Sequence, residues 1–100
     1  MLEIESTIEN ETKVLKVSGR LDAKSAKEAT EAFGQAAVDA GDIVLDLEGL
    51  EYIASAGLRA LRHLKKVVGS AGGEVTLRNV NDDIMEILEM TGFVAMFTFE

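Results

Sequence analysis

The run Ile43-Val44-Leu45-Asp46-Leu47 constrains this chain more than any other feature. Five nearly all apolar, β-favouring residues in succession predict a central strand covered on both faces. The flanking segments supply its partners. Leu2, Ile4 and Ile8 alternate with polar residues, and after Glu9-Asn10-Glu11 comes Val14-Leu15-Lys16-Val17, a pattern that predicts a β-hairpin ended by Gly19. Between Asp22 and Ala40, the positions Ala26, Ala29, Phe33, Ala36 and Ala40 step by three or four and lay one apolar stripe on a helix. Asp22 suits its N-cap and Gly41 its stop.

Downstream, Leu58, Leu61, Leu64 and Val68 predict a second helix from Ser55 to Val68, which Gly69 can end. Val75-Thr76-Leu77 reads as a strand. Asn81, followed by Asp82 and Asp83, opens a third helix carrying Ile84, Ile87 and Leu88, and Thr91-Gly92 closes it. The apolar tail from Val94 to Phe99 is expected to form a last strand or a packed extension. Strands separated by helices favour parallel pairing through right-handed crossovers, and the opening hairpin adds an antiparallel pair. The expected fold class is therefore α/β, a mixed β-sheet of four to five strands with helices packed on it.

Composition narrows the functions. The 100 residues, 47% hydrophobic and 28% charged, match one soluble globular domain spanning 1–100. Eighteen acidic against ten basic residues leave a net charge of −8, which repels a phosphate backbone and an anionic bilayer, so direct nucleic-acid binding is not expected. Without cysteine there is no disulfide, thiolate chemistry or sulfur-ligated zinc, and the only histidine, His63, stands alone. No cofactor motif is evident: Gly69-Ser70-Ala71-Gly72-Gly73 lacks the Lys-Ser/Thr ending of a phosphate loop. The acidic start Met1-Leu2-Glu3-Ile4-Glu5 does not read as a secretory signal, and no segment approaches the roughly 20 apolar residues of a membrane span. A cytoplasmic location without membrane insertion is the expectation.

The informative segment is the junction Ala54-Ser55-Ala56-Gly57, small residues between strand and helix. Free N–H groups and the dipole at a helix start favour an oxygen or anion by about 0.3–1 kcal/mol, so a phosphate on Ser55 would be tolerated there. Taken alone, Ser55 reads first as a plain N-cap. A serine hydrolase is disfavoured: Ile53 stands where a nucleophile elbow needs glycine, and His63 lies about 12 Å along the same helix. Tyr52 reads as a half-buried core ring or an interface anchor, and Arg59 as a solvated charge or a reader of an acidic partner group. Gly57 reads as a point of close packing and Leu58 as core.

From Asp46-Leu47 through Tyr52-Ile53 to Ala54-Ser55-Ala56-Gly57-Leu58, the chain resembles the signature of the STAS family, shared by sulfate transporters and anti-sigma factor antagonists. Gly19-Arg20-Leu21-Asp22, followed by an alanine-rich helix, resembles that family's turn into its first helix. The likeness covers essentially the whole chain. It implies a STAS-like sheet and a protein-binding module rather than an enzyme, of the anti-sigma factor antagonist type. It also implies that Ser55 is phosphorylated by a serine kinase that doubles as anti-sigma factor, and that a phosphatase could reverse this. The unmodified domain binds that kinase; the phosphorylated one is released. Many antagonists carry aspartate where this chain has Ala54. The partner surface so implied takes in Asp22, Tyr52, Ala54, Ala56, Gly57, Leu58 and Arg59. The alternative is a standalone STAS subunit docked constitutively on the ATPase of a transport complex.

Overall fold

The computed structural model describes residues 1–38 and 40–100. In chain order the elements are β1 (Leu2–Glu9), β2 (Thr12–Leu21), α1 (Ala26–Ala37), β3 (Ile43–Asp46), β4 (Leu50–Ile53), α2 (Ser55–Ser70), β5 (Val75–Arg78) and α3 (Asp82–Met90). A 3₁₀ turn at Phe93–Met96 and β6 (Thr98–Phe99) follow. Among the described residues the sheet is six-stranded, in the order β1-β2-β3-β5-β6, with β4 paired to β2 off that path. Only the β1–β2 hairpin is antiparallel; the other pairings are parallel.

The expected elements are present, with one further strand, which makes six where four to five were expected, and with shifted boundaries. Gly19 does not end β2. At φ +93° it kinks the strand, which pairs with β3 over Lys13–Lys16 and then, across a register shift at Gly19/Arg20, with β4. Strand β4 was not expected, because a polar turn interrupts the apolar run: the Glu48 N–H donates to Asp46 Oδ1 at 3.1 Å and the Leu50 N–H to the Leu47 carbonyl at 3.0 Å. The tail satisfies both expectations, a packed 3₁₀ turn followed by β6 parallel to β5.

Helix α1 starts at Ala26, later than Asp22 would place it, and ends at Ala37. Its expected continuation to Ala40 crosses Asp39, which lies outside the described residues. Helix α2 runs through Gly69 to Ser70. Its stop is Gly72 at φ +86°, beside which the Gly73 N–H donates back to the Val68 carbonyl at 2.9 Å. Helix α3 opens as expected at Asn81, whose Oδ1 accepts the Ile84 N–H at 2.8 Å while Nδ2 donates to the Leu50 carbonyl at 2.9 Å.

Strand alternation sorts the sheet into two faces. Leu15, Val17, Ile43, Leu45, Val75 and Leu77 join Phe33, Leu61, Leu64, Ile84 and Leu88 of the helices in one core cluster. The opposite face carries Val14, Lys16, Val44, Asp46 and Arg78 and lines two open grooves. Strand β3 is therefore not covered on both faces: Val44 stays half-buried, and Asp46 is buried by ion pairing instead of by a helix.

Candidate functional site

The ends of β2 and β4 and the start of α2 meet at one edge of the sheet. Leu21 pairs with Ile53, and the Leu21 carbonyl accepts the Ala54 N–H at 2.9 Å, so the chain enters α2 already bonded to β2. Gly57 permits that approach: a Cβ there would lie 2.6 Å from the Leu21 carbonyl oxygen and 2.7 Å from Leu21 Cγ. Leu58, 7% exposed, anchors the helix in the core. Gly57 and Leu58 thus face inward, and burial withdraws both from the expected partner surface.

The helix cap is Ala54, in extended conformation and with no side-chain hydrogen bond, so Ser55 is the first helical residue and not the N-cap. The Leu58 N–H donates to the Ala54 carbonyl at 3.0 Å, which leaves the N–H groups of Ser55, Ala56 and Gly57 ahead of the first intrahelical bond. Ser55 is exposed and Ala56 half-buried. This start presents a hydroxyl and unpaired N–H groups, with no side-chain acceptor competing for them.

The Asp22 turn lies alongside, because Leu21 is bonded to Ala54. Asp22 Oδ1 accepts the N–H groups of Lys24 at 3.1 Å and Ser25 at 3.2 Å, and Ser25 Oγ accepts the Asp22 N–H at 3.0 Å and donates to the Arg20 carbonyl at 2.8 Å. Asp22 therefore shapes the turn that leads into α1 and does not cap the helix. Burial pushes its carboxyl up, but the hydrogen bonds from Ser25 and Lys24 and the nearby Arg20 outweigh this and hold it below the usual aspartate range.

Arg20 completes the edge. Its Nε lies 3.7 Å from Asp22 Oδ2, and its guanidinium sits over the exposed Tyr52 ring, 4.4 Å from the centroid. Tyr52 is accordingly a surface ring. Sequence reasoning passed over Arg20 as a site residue, since only the β2–β4 register sets Arg20 opposite Tyr52. Arg59, one turn beyond Ser55, is exposed and lines a shallow cleft with Arg62, His63 and Lys66. The β2–β4 register and the Leu21–Ala54 bond thus bring Asp22, Tyr52, Ala54, Ser55 and Ala56 together, with Arg20 added, and Arg59 follows one turn along α2. Asp46, which opens the signature, lies elsewhere, on the open sheet face.

Comparison with known proteins places the fold. BtrV of Bordetella bronchiseptica, which bears the name of an anti-sigma factor antagonist, is 39% identical over 72 residues, 70% of this chain. The match spans 62% of that relative, less than two thirds of its length. An anti-sigma factor antagonist from Mycobacterium paratuberculosis superposes with a TM-score of 0.89 at 22% identity, covering 99% of this chain and 85% of that one. The Bacillus cell fate determinant SpoIIAA, in its phosphorylated form, gives 0.73 at 17% identity, covering 100% and 91%. These structures share the mixed sheet and flanking helices seen here. The family model described as STAS domain matches residues 3–100, and the chain belongs to that family.

Proposed function

We propose that this chain is an anti-sigma factor antagonist that switches partners through Ser55. Unmodified, it docks on an anti-sigma factor kinase through the edge formed by Ser55, the Asp22 turn, Tyr52 and Arg59; phosphorylated, it is released. The observation that carries this reading is the position of Ser55, exposed at the first residue of an uncapped helix and beside the Asp22 turn. The likeness to BtrV supports the antagonist type. Phosphoserine adds about −1.5 to −2 charges at neutral pH, and trapping that charge unpaired in an interface would cost several kcal/mol. Every 1.4 kcal/mol is tenfold in affinity, so release needs no rearrangement of the fold. Within the free domain, the unpaired N–H groups of Ala56 and Gly57 accommodate the phosphate.

Intact mass and binding affinity with candidate anti-sigma kinases from the same genome, given ATP and magnesium, test the switch. Wild type is expected to gain one phosphoryl group that Ser55→Ala does not, and Ser55→Asp to bind weakly. No modification by any candidate, with equal binding by all three proteins, would replace the switch with a constitutive adaptor such as a transport subunit docked on its ATPase.

A further inference from the structure

Helix α2 carries five ionisable side chains, Arg59, Arg62, His63, Lys65 and Lys66, and no acid. Four of these stand exposed at spacings of three, one and three, and so form a stripe along one side of the helix, opposite the buried Leu58, Leu61, Leu64 and Val68. Ser55, four residues before Arg59, heads the same stripe. Among the described residues the ion pairs belong to Arg20 and Arg78, and none relieves α2. Like charges three and four apart repel, and no cation lies in the last turn, where the helix dipole would favour it. Neither fold stability nor dipole compensation accounts for the stripe.

We infer that the exposed face of α2, from Ser55 to Lys66, docks an acidic surface of a protein partner, and that phosphate on Ser55 acts partly by occupying Arg59. This deepens the partner-switching reading and rests on it for the identity of the partner. Charge complementarity selects the occupant. The chain totals −8 while α2 contributes +4 from Arg59, Arg62, Lys65 and Lys66, so the rest of the molecule carries −12. From Arg59 to Lys66 the stripe is about 10 Å long, close to one Debye length at 0.1 M salt. A compact acidic patch fits within that length, whereas duplex nucleic acid or an anionic bilayer extends beyond it and meets the acidic remainder. A phosphate on Ser55 would lie one turn from Arg59, within the reach of an i, i+4 pair, and its charge of about −1.5 to −2 would offset about half or more of that carried by Arg59, Arg62 and Lys66.

Association kinetics of the full chain with the candidate kinases, at low and moderate salt, test the inference. Arg62→Glu is the informative variant, since Arg62 lies outside the edge around Ser55. It should slow association by about tenfold and flatten the salt dependence, while Lys16→Glu on the opposite sheet face, with the same change in net charge, stays within about twofold of wild type. Thermal melts establish that both variants fold. A kinase that binds wild type and Arg62→Glu alike overturns the inference and leaves the Ser55 switch standing. If no candidate binds wild type, the switch reading fails, and an octaglutamate peptide followed by amide shift mapping becomes the probe. Shifts confined to residues 59–66 and lost in Arg62→Glu uphold the acidic-partner surface. Their absence, or Arg62-dependent retention on duplex DNA or phosphatidylglycerol vesicles instead, overturns it.

Discussion

Asp46 remains ionised at 7% exposure because each oxygen is occupied. Oδ1 accepts the Glu48 N–H at 3.1 Å and Asn79 Nδ2 at 3.2 Å, and Oδ2 pairs with Arg78 at 3.2 Å. Burial pushes its carboxyl up, but these donors together outweigh burial and hold it below the ordinary value of 3.8. Arg78 also grips Glu9 with both terminal nitrogens, at 3.2 and 3.3 Å, and so ties β1, β3 and β5 across the open face. An aspartate whose folded value is depressed stabilises fully above its unfolded value, and that contribution is lost as pH falls through the folded one. Asp46→Asn should therefore cost about 2 kcal/mol at neutral pH, with the gap to wild type steady down to about pH 4 and narrowing below it. Thermal melts of both proteins across that range measure it. In the sequence Asp46 is visible only as the opening of a motif. Its partner Arg78 lies thirty-two positions away, and only the parallel register of β3 and β5 makes them neighbours.

Among the elements, α2 and α3 start differently, although both have apolar stripes that periodicity reveals. Asn81 caps α3 with its own side chain, whereas Ala54 offers α2 nothing. Introducing a hydroxyl at the N-cap is worth about 1 kcal/mol, so Ala54→Ser should raise the urea midpoint by a corresponding amount without a change in slope. The same variant should leave Ser55 exposed, because the substituted side chain bonds the backbone N–H of Ala56 or Gly57. Periodicity identified the buried side of α2 through Leu58, Leu61, Leu64 and Val68, because a helix packed on a sheet needs one apolar stripe. It could not distinguish Ala54 from Ser55 as the cap. That choice depends on the Ala54 N–H bonding to the Leu21 carbonyl, a contact made by a residue thirty-three positions earlier.

For the molecule as a whole, one cluster joins β2, β3 and β5 to all three helices, and Phe33 of α1 lies fully buried within it. Phe33→Ala is expected to cost about 3–5 kcal/mol, a large part of the roughly 5–15 kcal/mol that stabilises a domain of this size. Urea unfolding should remain a single transition with a much lower midpoint; two separated transitions would show that the cluster does not act as one unit. The sequence by itself determined the order of the main strands and helices and the apolar side of each, because both rest on local periodicity and turn chemistry; the pattern around Ser55 was legible only as a contiguous motif that resembles the family's signature. The tertiary structure alone decided the second parallel partner of β2, the open face of β3 and the edge where Arg20, Asp22, Tyr52 and Ser55 meet. These depend on parallel register between distant segments, which residue spacing within a segment does not encode.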